Sequence, residues 1–163
     1  GADFEAGKVF LPQLIQCAGA AQAAFEVIRE GLSAQPGAET VSKAPIVLAT
    51  VKGDIHDIGK NIVKVLLENY GYPVIDLGRD VDPVSVVEAA KKHNAPLVGL
   101  SALMTTTLGS MEETIRLLRA EQVPCRVVVG GAVLTPDYAK KIGADFYARD
   151  AKGSVDVARQ VIG

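Results

Sequence analysis

Gly53-Asp54-Ile55-His56-Asp57-Ile58-Gly59-Lys60-Asn61 is the stretch from which the fold can be read. The apolar run Pro45-Ile46-Val47-Leu48-Ala49-Thr50-Val51 precedes it and reads as a strand buried on both faces. After it, apolar residues at three- and four-residue steps predict a helix over 58–70. A short strand-to-helix loop therefore carries a His, with an Asp two positions before it and a Gly three after. In open α/β sheets, ligands bind outside the carboxyl ends of the strands. A His there can offer one ring nitrogen to a metal while a carboxylate holds the other, and Asp54 is placed for that second role. Asp57 reads either as the helix N-cap or as a ligand contact.

The same alternation continues along the chain. Strands are expected at 45–51, 73–77, 97–102, 125–129 and 145–148, and helices at 58–70, 83–93, 110–121, 135–142 and 152–162. Asp82-Pro83 and Thr135-Pro136 each set a capping side chain before a Pro at the first helical position. Ser110-Met111-Glu112-Glu113 reads as a capping box, and Gly71 and Gly143 as helix stops. Five strands alternating with helices predict an α/β fold with a doubly wound five-stranded parallel sheet, flavodoxin-like or Rossmann-like. Ahead of it, Phe10, Leu14, Ala18, Ala21, Phe25 and Ile28 recur at helical steps, so 1–34 reads as helical, with Pro12 either kinking it or sitting in a first turn. Residues 35–44 are a linker by composition, and 45–163 form the α/β domain.

Composition excludes several classes. The 163 residues suit one domain with a small appendage, and 48% apolar content is enough for a core. A net charge of −2 with no basic run leaves no nucleic-acid footprint. No run reaches membrane-spanning length and no signal peptide leads the chain. Cys17 and Cys125 stand far apart without partners at metal-ligand spacing, as two reduced thiols in a cytoplasmic protein. His93 falls at a helix end, and Met104 and Met111 read as core residues. Arg149-Asp150 reads as a surface ion pair.

Asp54-x-His56-x-x-Gly59 resembles the signature of cobalamin-binding domains. The resemblance extends to Gly99-Leu100-Ser101-Ala102-Leu103-Met104-Thr105-Thr106-Thr107 and to Val129-Gly130-Gly131-Ala132, in the family's order, each at a predicted strand end. It is nearest to the cobalamin module of methionine synthase, with the corrinoid proteins of methanol and methylamine methyltransferases as close alternatives. It implies a cobalamin bound with its own base displaced and His56 as the lower cobalt ligand. Asp54 would hold the other nitrogen of His56, and Thr107 would complete a relay where methionine synthase has Ser. The nucleotide tail would enter a slot matched by Gly59, Ser101, Leu103, Thr105, Gly130 and Gly131, with Ala151 near its far end. Gly53, Ile55 and Asp57 complete the cofactor-binding loop. The slot's glycines would allow close approach of the tail.

By the same resemblance, residues 1–34 match the last part of a four-helix cap, with Phe4 and Leu11 at the positions that shield the methyl group. A helix cut from its bundle leaves apolar surface that favours docking or dimerisation. The implied chemistry is methyl transfer through methylcobalamin and cob(I)alamin, from methyltetrahydrofolate to homocysteine, both bound on other modules. The chain is then a cofactor carrier that does not turn over alone. The alternative is a corrinoid protein shuttling methyl groups from methanol or methylamines. Two other classes compete. A signal receiver would need a phosphorylatable Asp at the end of the third strand, where Ser101 stands, and a plain metal-dependent hydrolase would need further ligands around His56.

Overall fold

The computed structural model describes Lys8, Phe10, Pro12, Gln13, Gln16, Ala20 and residues 43–163. The chain divides into two units, Gly1–Ser42 and Lys43–Gly163. In the first, Pro12, Gln13, Gln16 and Ala20 are helical and Phe10 is not, which sets Pro12 in a first turn. The Phe10 amide donates to Gln13 Oε1 at 2.9 Å. Phe4, Leu11, Cys17, most of the expected cap remnant and residues 35–42 of the linker lie outside the described residues.

The second unit runs β1 (Ile46–Thr50), α1 (Ile58–Asn69), β2 (Val74–Asp76), α2 (Pro83–Lys92), β3 (Leu97–Ser101), a single 3₁₀ turn (Thr105–Thr107), α3 (Leu108–Ala120), β4 (Arg126–Gly130), α4 (Pro136–Lys141), β5 (Phe146–Tyr147) and α5 (Ala151–Ile162). All five strands are parallel, in the order β2-β1-β3-β4-β5. The direction of winding reverses between β1 and β3, where Thr50 pairs with Ser101. The doubly wound sheet expected from sequence is therefore present, with its switch point beside the His56 loop.

Both faces of the sheet are covered, which is why β1 is apolar throughout and buried along its whole length. Ile46, Leu48, Leu97 and Val128 face α1 and α5, meeting Leu67, Val155 and Ala158. Val47, Ala49, Val98, Leu100, Val127 and Val129 face the other way, toward Met111, Ile115 and Leu118 of α3 and Val86 and Ala90 of α2. Asp82 caps α2 through the Val84 amide, and Thr135 caps α4 through the Tyr138 amide, each with Pro in the first turn. Gly71 and Gly143 follow α1 and α4 at φ +81° and +79°, conformations that suit glycine.

Four local readings change. The helix expected at 110–121 begins at Leu108, so Ser110 lies inside it and its carbonyl accepts from the Thr114 hydroxyl. The capping box is not used, because the 3₁₀ turn already supplies the entry and brings Thr107 to the N-cap position. Asp57 stands at the N-cap of α1 but its carboxylate makes no capping bond. Asp150 is a cap: its Oδ1 accepts from the Gly153 amide at 2.8 Å and starts α5 at Ala151. Met104 is half-buried, whereas Met111 is fully in the core as expected. No helix among the described residues is long and apolar enough to cross a membrane.

Candidate functional site

His56 stands on the seven-residue loop, 51–57, between β1 and α1, which Gly53 turns at φ +83°. Its side chain is exposed, yet its ring is fixed: Nδ1 lies 2.8 Å from Asp54 Oδ1. Asp54 is fully buried and anionic, so Nδ1 carries the proton and Nε2 keeps a free lone pair. The His56 backbone amide donates to the same oxygen at 3.0 Å.

The second oxygen of Asp54 crosses the switch point to the loop after β3. It accepts from the Leu103 amide at 2.7 Å, the Met104 amide at 3.2 Å and the Thr107 hydroxyl at 3.0 Å. Burial pushes the Asp54 carboxyl up. The backbone amides of His56 and Leu103, then the His56 ring and the Thr107 hydroxyl, outweigh it and hold the group far below the usual carboxylate range. A carboxylate offers about four lone-pair sites, and four N–H donors fill them. The Thr107 hydroxyl is a fifth donor with one proton, and that proton also has the Met104 carbonyl within reach at 2.9 Å.

A cavity of about 810 Å³ opens beside His56 and runs between the sheet and α1 and α5, within the size of about 300–1,000 Å³ usual for small-molecule sites. Of the residues expected to bind a ligand, the first loop sends Ile55, His56, Asp57 and Gly59 to its wall. Ser101 and Leu103 come from β3 and its loop, Gly130 and Gly131 from the end of β4, and Ala151 from the start of α5. Gly53, Asp54 and Thr107 stand behind this wall, and Thr105 is exposed in the 3₁₀ turn rather than in the slot. Ser101 Oγ already pairs with the buried Thr50 hydroxyl at 3.0 Å, and can still accept or donate one further bond. At the mouth, Ile55 is 61% exposed, Ile58 78% and Leu103 43%, an unusual amount of apolar surface around one imidazole.

The two glycines at the end of β4, Gly130 its last residue and Gly131 the next, serve different ends. A Cβ on Gly131, which sits at φ +136°, would fall 1.9 Å from the Ala102 carbonyl oxygen, so this glycine lets two loops touch. Gly130 lies against the Ala148 carbonyl, 3.1 Å from where its Cβ would be. Of the described glycines on the cavity wall, Gly59 alone has open space beyond it and keeps the simple role of admitting a ligand.

Four contributors escaped the sequence reading. Gly99 sits in the middle of β3 on the cavity face, and its Cβ would meet Leu48 Cδ2 at 2.5 Å. Its signal was present, since a glycine inside an apolar strand marks close approach. Lys60 is buried in the cavity wall, its ammonium 2.5 Å from Asp76 Oδ1 and 2.9 Å from Asn61 Oδ1. Burial raises the Asp76 carboxyl, but Lys60 and the Gly78 amide reverse this and keep it anionic. Arg79 and Arg149 also line the cavity. Among the described residues no group of three or more His, Cys, Asp or Glu converges on a metal site, so His56 has no hydrolase-type ligand set around it.

A single outward-facing imidazole beside a long apolar slot suits a cofactor that brings its own equatorial ligands and needs one more from protein. The slot meets the demands of a corrinoid tail: it is apolar, glycine-lined, and offers the Ser101 hydroxyl as a polar contact. Residues 44–156 match the family model for the B12 binding domain, and the chain belongs to that family. Its cofactor is a corrinoid. Dimethylamine corrinoid protein 2 of Methanosarcina mazei is 46% identical over 99% of this chain and 76% of that protein. A cobalamin-binding protein from Desulfitobacterium hafniense superimposes with TM-score 0.82 at 36% identity, covering 100% of this chain and 76% of the other. In the methanol:cobalamin methyltransferase complex MtaBC of Methanosarcina barkeri, one chain matches with TM-score 0.87 at 31% identity, over 98% of this chain and 60% of its own length. These relatives belong with corrinoid proteins, so the methionine synthase likeness is corrected to that group.

Proposed function

We propose that this chain is a corrinoid methyl carrier that serves methylamine methyltransferases. The observation that carries it is the His56–Asp54 pair at the mouth of the slot: a ring nitrogen aimed outward, fixed from behind by a buried carboxylate. The names of the relatives support methylamines over methyltetrahydrofolate and homocysteine as the source and destination of the methyl group. A methyltransferase partner that loads the carrier fits the methanol complex named above.

Each residue has a definable part. His56 Nε2 would be the lower ligand, and Asp54 keeps the proton on Nδ1 so that Nε2 stays basic. Ser101, Leu103, Gly59, Gly130, Gly131 and Ala151 would line the path of the displaced tail. Ile55, Ile58 and Leu103 would seal the underside from water. When bound, the corrinoid's cobalt supplies the methyl-transfer chemistry; the protein orients and tunes it. Asp54, itself locked by the amides of Leu103 and Met104, would hold the His56 ring in one orientation beneath the bound group.

The test is the visible spectrum after incubation with methylcobalamin and gel filtration, for wild type and His56→Gly. A red wild-type fraction with a His-ligated spectrum, altered in the variant, supports the carrier. A colourless wild type overturns it. Presenting the loaded protein with dimethylamine, methanol or methyltetrahydrofolate methyltransferases then separates the substrates; loading by the folate enzyme alone would sink the methylamine assignment.

A further inference from the structure

Resting on the corrinoid reading and deepening it, we propose that Asp80, on the loop after β2, is a positioning residue for His56. It anchors the backbone of the His-bearing loop and so holds the imidazole ready for its ligand. One residue grips two successive residues of that loop. Its carboxylate Oδ1 accepts from the Gly53 amide at 2.8 Å, and its own amide donates to the Asp54 carbonyl at 2.9 Å. To make both bonds it stands at φ +53°, a left-handed conformation that Asp and Asn tolerate better than other residues with a side chain. Such conformations persist where the surroundings over-determine them, and they gather at functional sites. The strand order sets β2 on one side of β1 and β3 on the other. Asp54 is therefore held from both: its carboxylate by the loop after β3, its carbonyl by Asp80.

The anchor is itself fixed. Val81 carries the contact with β1 past the strand ends, through a bridge to Val51 and a bond from its amide to the Thr50 carbonyl at 3.1 Å. Asp76, the last residue of β2, accepts from the Gly78 amide at 2.9 Å and pairs with the buried Lys60 of α1. Because α1 begins where the His56 loop ends, Lys60, Asp76 and Asp80 close a circuit from the far end of that loop back to its start. The Lys52 ammonium also reaches Asp80, at 3.4 Å, but both side chains are half exposed, and such pairs contribute little. The Gly53 amide, ahead of Lys52, holds the Asp80 carboxyl below the usual carboxylate range. The acceptor oxygen is therefore the working part of Asp80, and its charge is secondary.

Three variants of the full chain separate these parts. Asp80→Asn keeps the acceptor and suits the left-handed backbone. Asp80→Gly suits the backbone but removes the acceptor, and Lys52→Gln removes only the ion pair. Without cofactor, amide hydrogen exchange at Gly53 and His56 should quicken about tenfold in Asp80→Gly and stay near wild type in the other two, with global unfolding little changed. With methylcobalamin, Asp80→Gly should bind about fivefold more weakly, the effect of one lost hydrogen bond, and part of its bound cofactor should lack the His-ligated visible spectrum. Asp80→Asn should restore both affinity and spectrum. Unchanged exchange in Asp80→Gly, weaker binding with the wild-type spectrum, equal losses in Asp80→Asn, or an Asp80→Gly chain that does not fold would overturn the proposal while leaving the carrier intact. Failure of wild type to bind methylcobalamin would overturn the carrier and this proposal together.

Discussion

Asp54 is surrounded by five donors, and its carboxylate holds His56 on one side and the Leu103–Met104 backbone on the other. Its folded pKa lies below the unfolded value of about 3.9. The stability it contributes is therefore complete above that pH and is lost as the pH falls toward the folded value. Circular dichroism between pH 2 and pH 5 should show wild type weakening below about pH 4. Asp54→Asn turns an amide N–H toward existing N–H donors, and should cost about 2–4 kcal/mol at pH 7 with a flatter acid profile. Thr107→Val should cost far less, about 1 kcal/mol, because four N–H donors still fill the carboxylate. Equal losses from both substitutions would show that the hydroxyl is an equal member of the network.

The pairing of Asp54 with His56 was legible at this scale, because two residues two apart on a tight loop can hardly avoid each other. The lack of a capping bond from Asp57 was not. Ordinary propensity favours Asp there, and only the turned loop shows its carboxylate making none. Nor did the motif discriminate among methyl donors. Asp54, His56 and Gly59 point to the corrinoid and carry no information on the methyl donor, and Phe4 and Leu11 fall outside the described residues.

Among the elements, the strands and the proline-led helices were readable, because apolar runs and Asp82-Pro83 or Thr135-Pro136 act locally. The start of α3 was not, since Ser110-Met111-Glu112-Glu113 fits a cap equally well in isolation. The deciding fact is the 3₁₀ turn that carries Thr107 to Asp54, a contact across fifty-three positions. Close approach between elements makes two glycines testable. Gly131→Ala sets a Cβ against the Ala102 backbone at an unfavourable φ and should cost 3 kcal/mol or more, roughly the sum of strain and overpacking. Gly99→Ala meets only the movable end of Leu48 and should cost about 1–2 kcal/mol, while narrowing the slot. Thermal unfolding ranks the two; a milder loss at Gly131 would contradict the close approach.

At the level of the whole molecule, Lys43–Gly163 contains the complete sheet, both core clusters and the cavity. A protein cut to residues 43–163 should unfold in one cooperative transition by circular dichroism. A broad or missing transition would show that residues 1–42 are needed to complete the core. The alternation of strands and helices made this unit visible in advance. A slot was expected only through the family resemblance and at its rim; its inner wall was not legible, because it arises from Leu48, Gly99, Val128 and α5 meeting across the sheet rather than from any one segment.

The sheet also tapers. Its three inner strands have five residues each, whereas the edges β2 and β5 have three and two. A short edge exposes few free amides and carbonyls to a neighbouring chain. Newly made chains therefore offer one another little free edge along which their sheets could join into fibres, a form of colloidal safety that comes from the same geometry that confines the site to the middle strands.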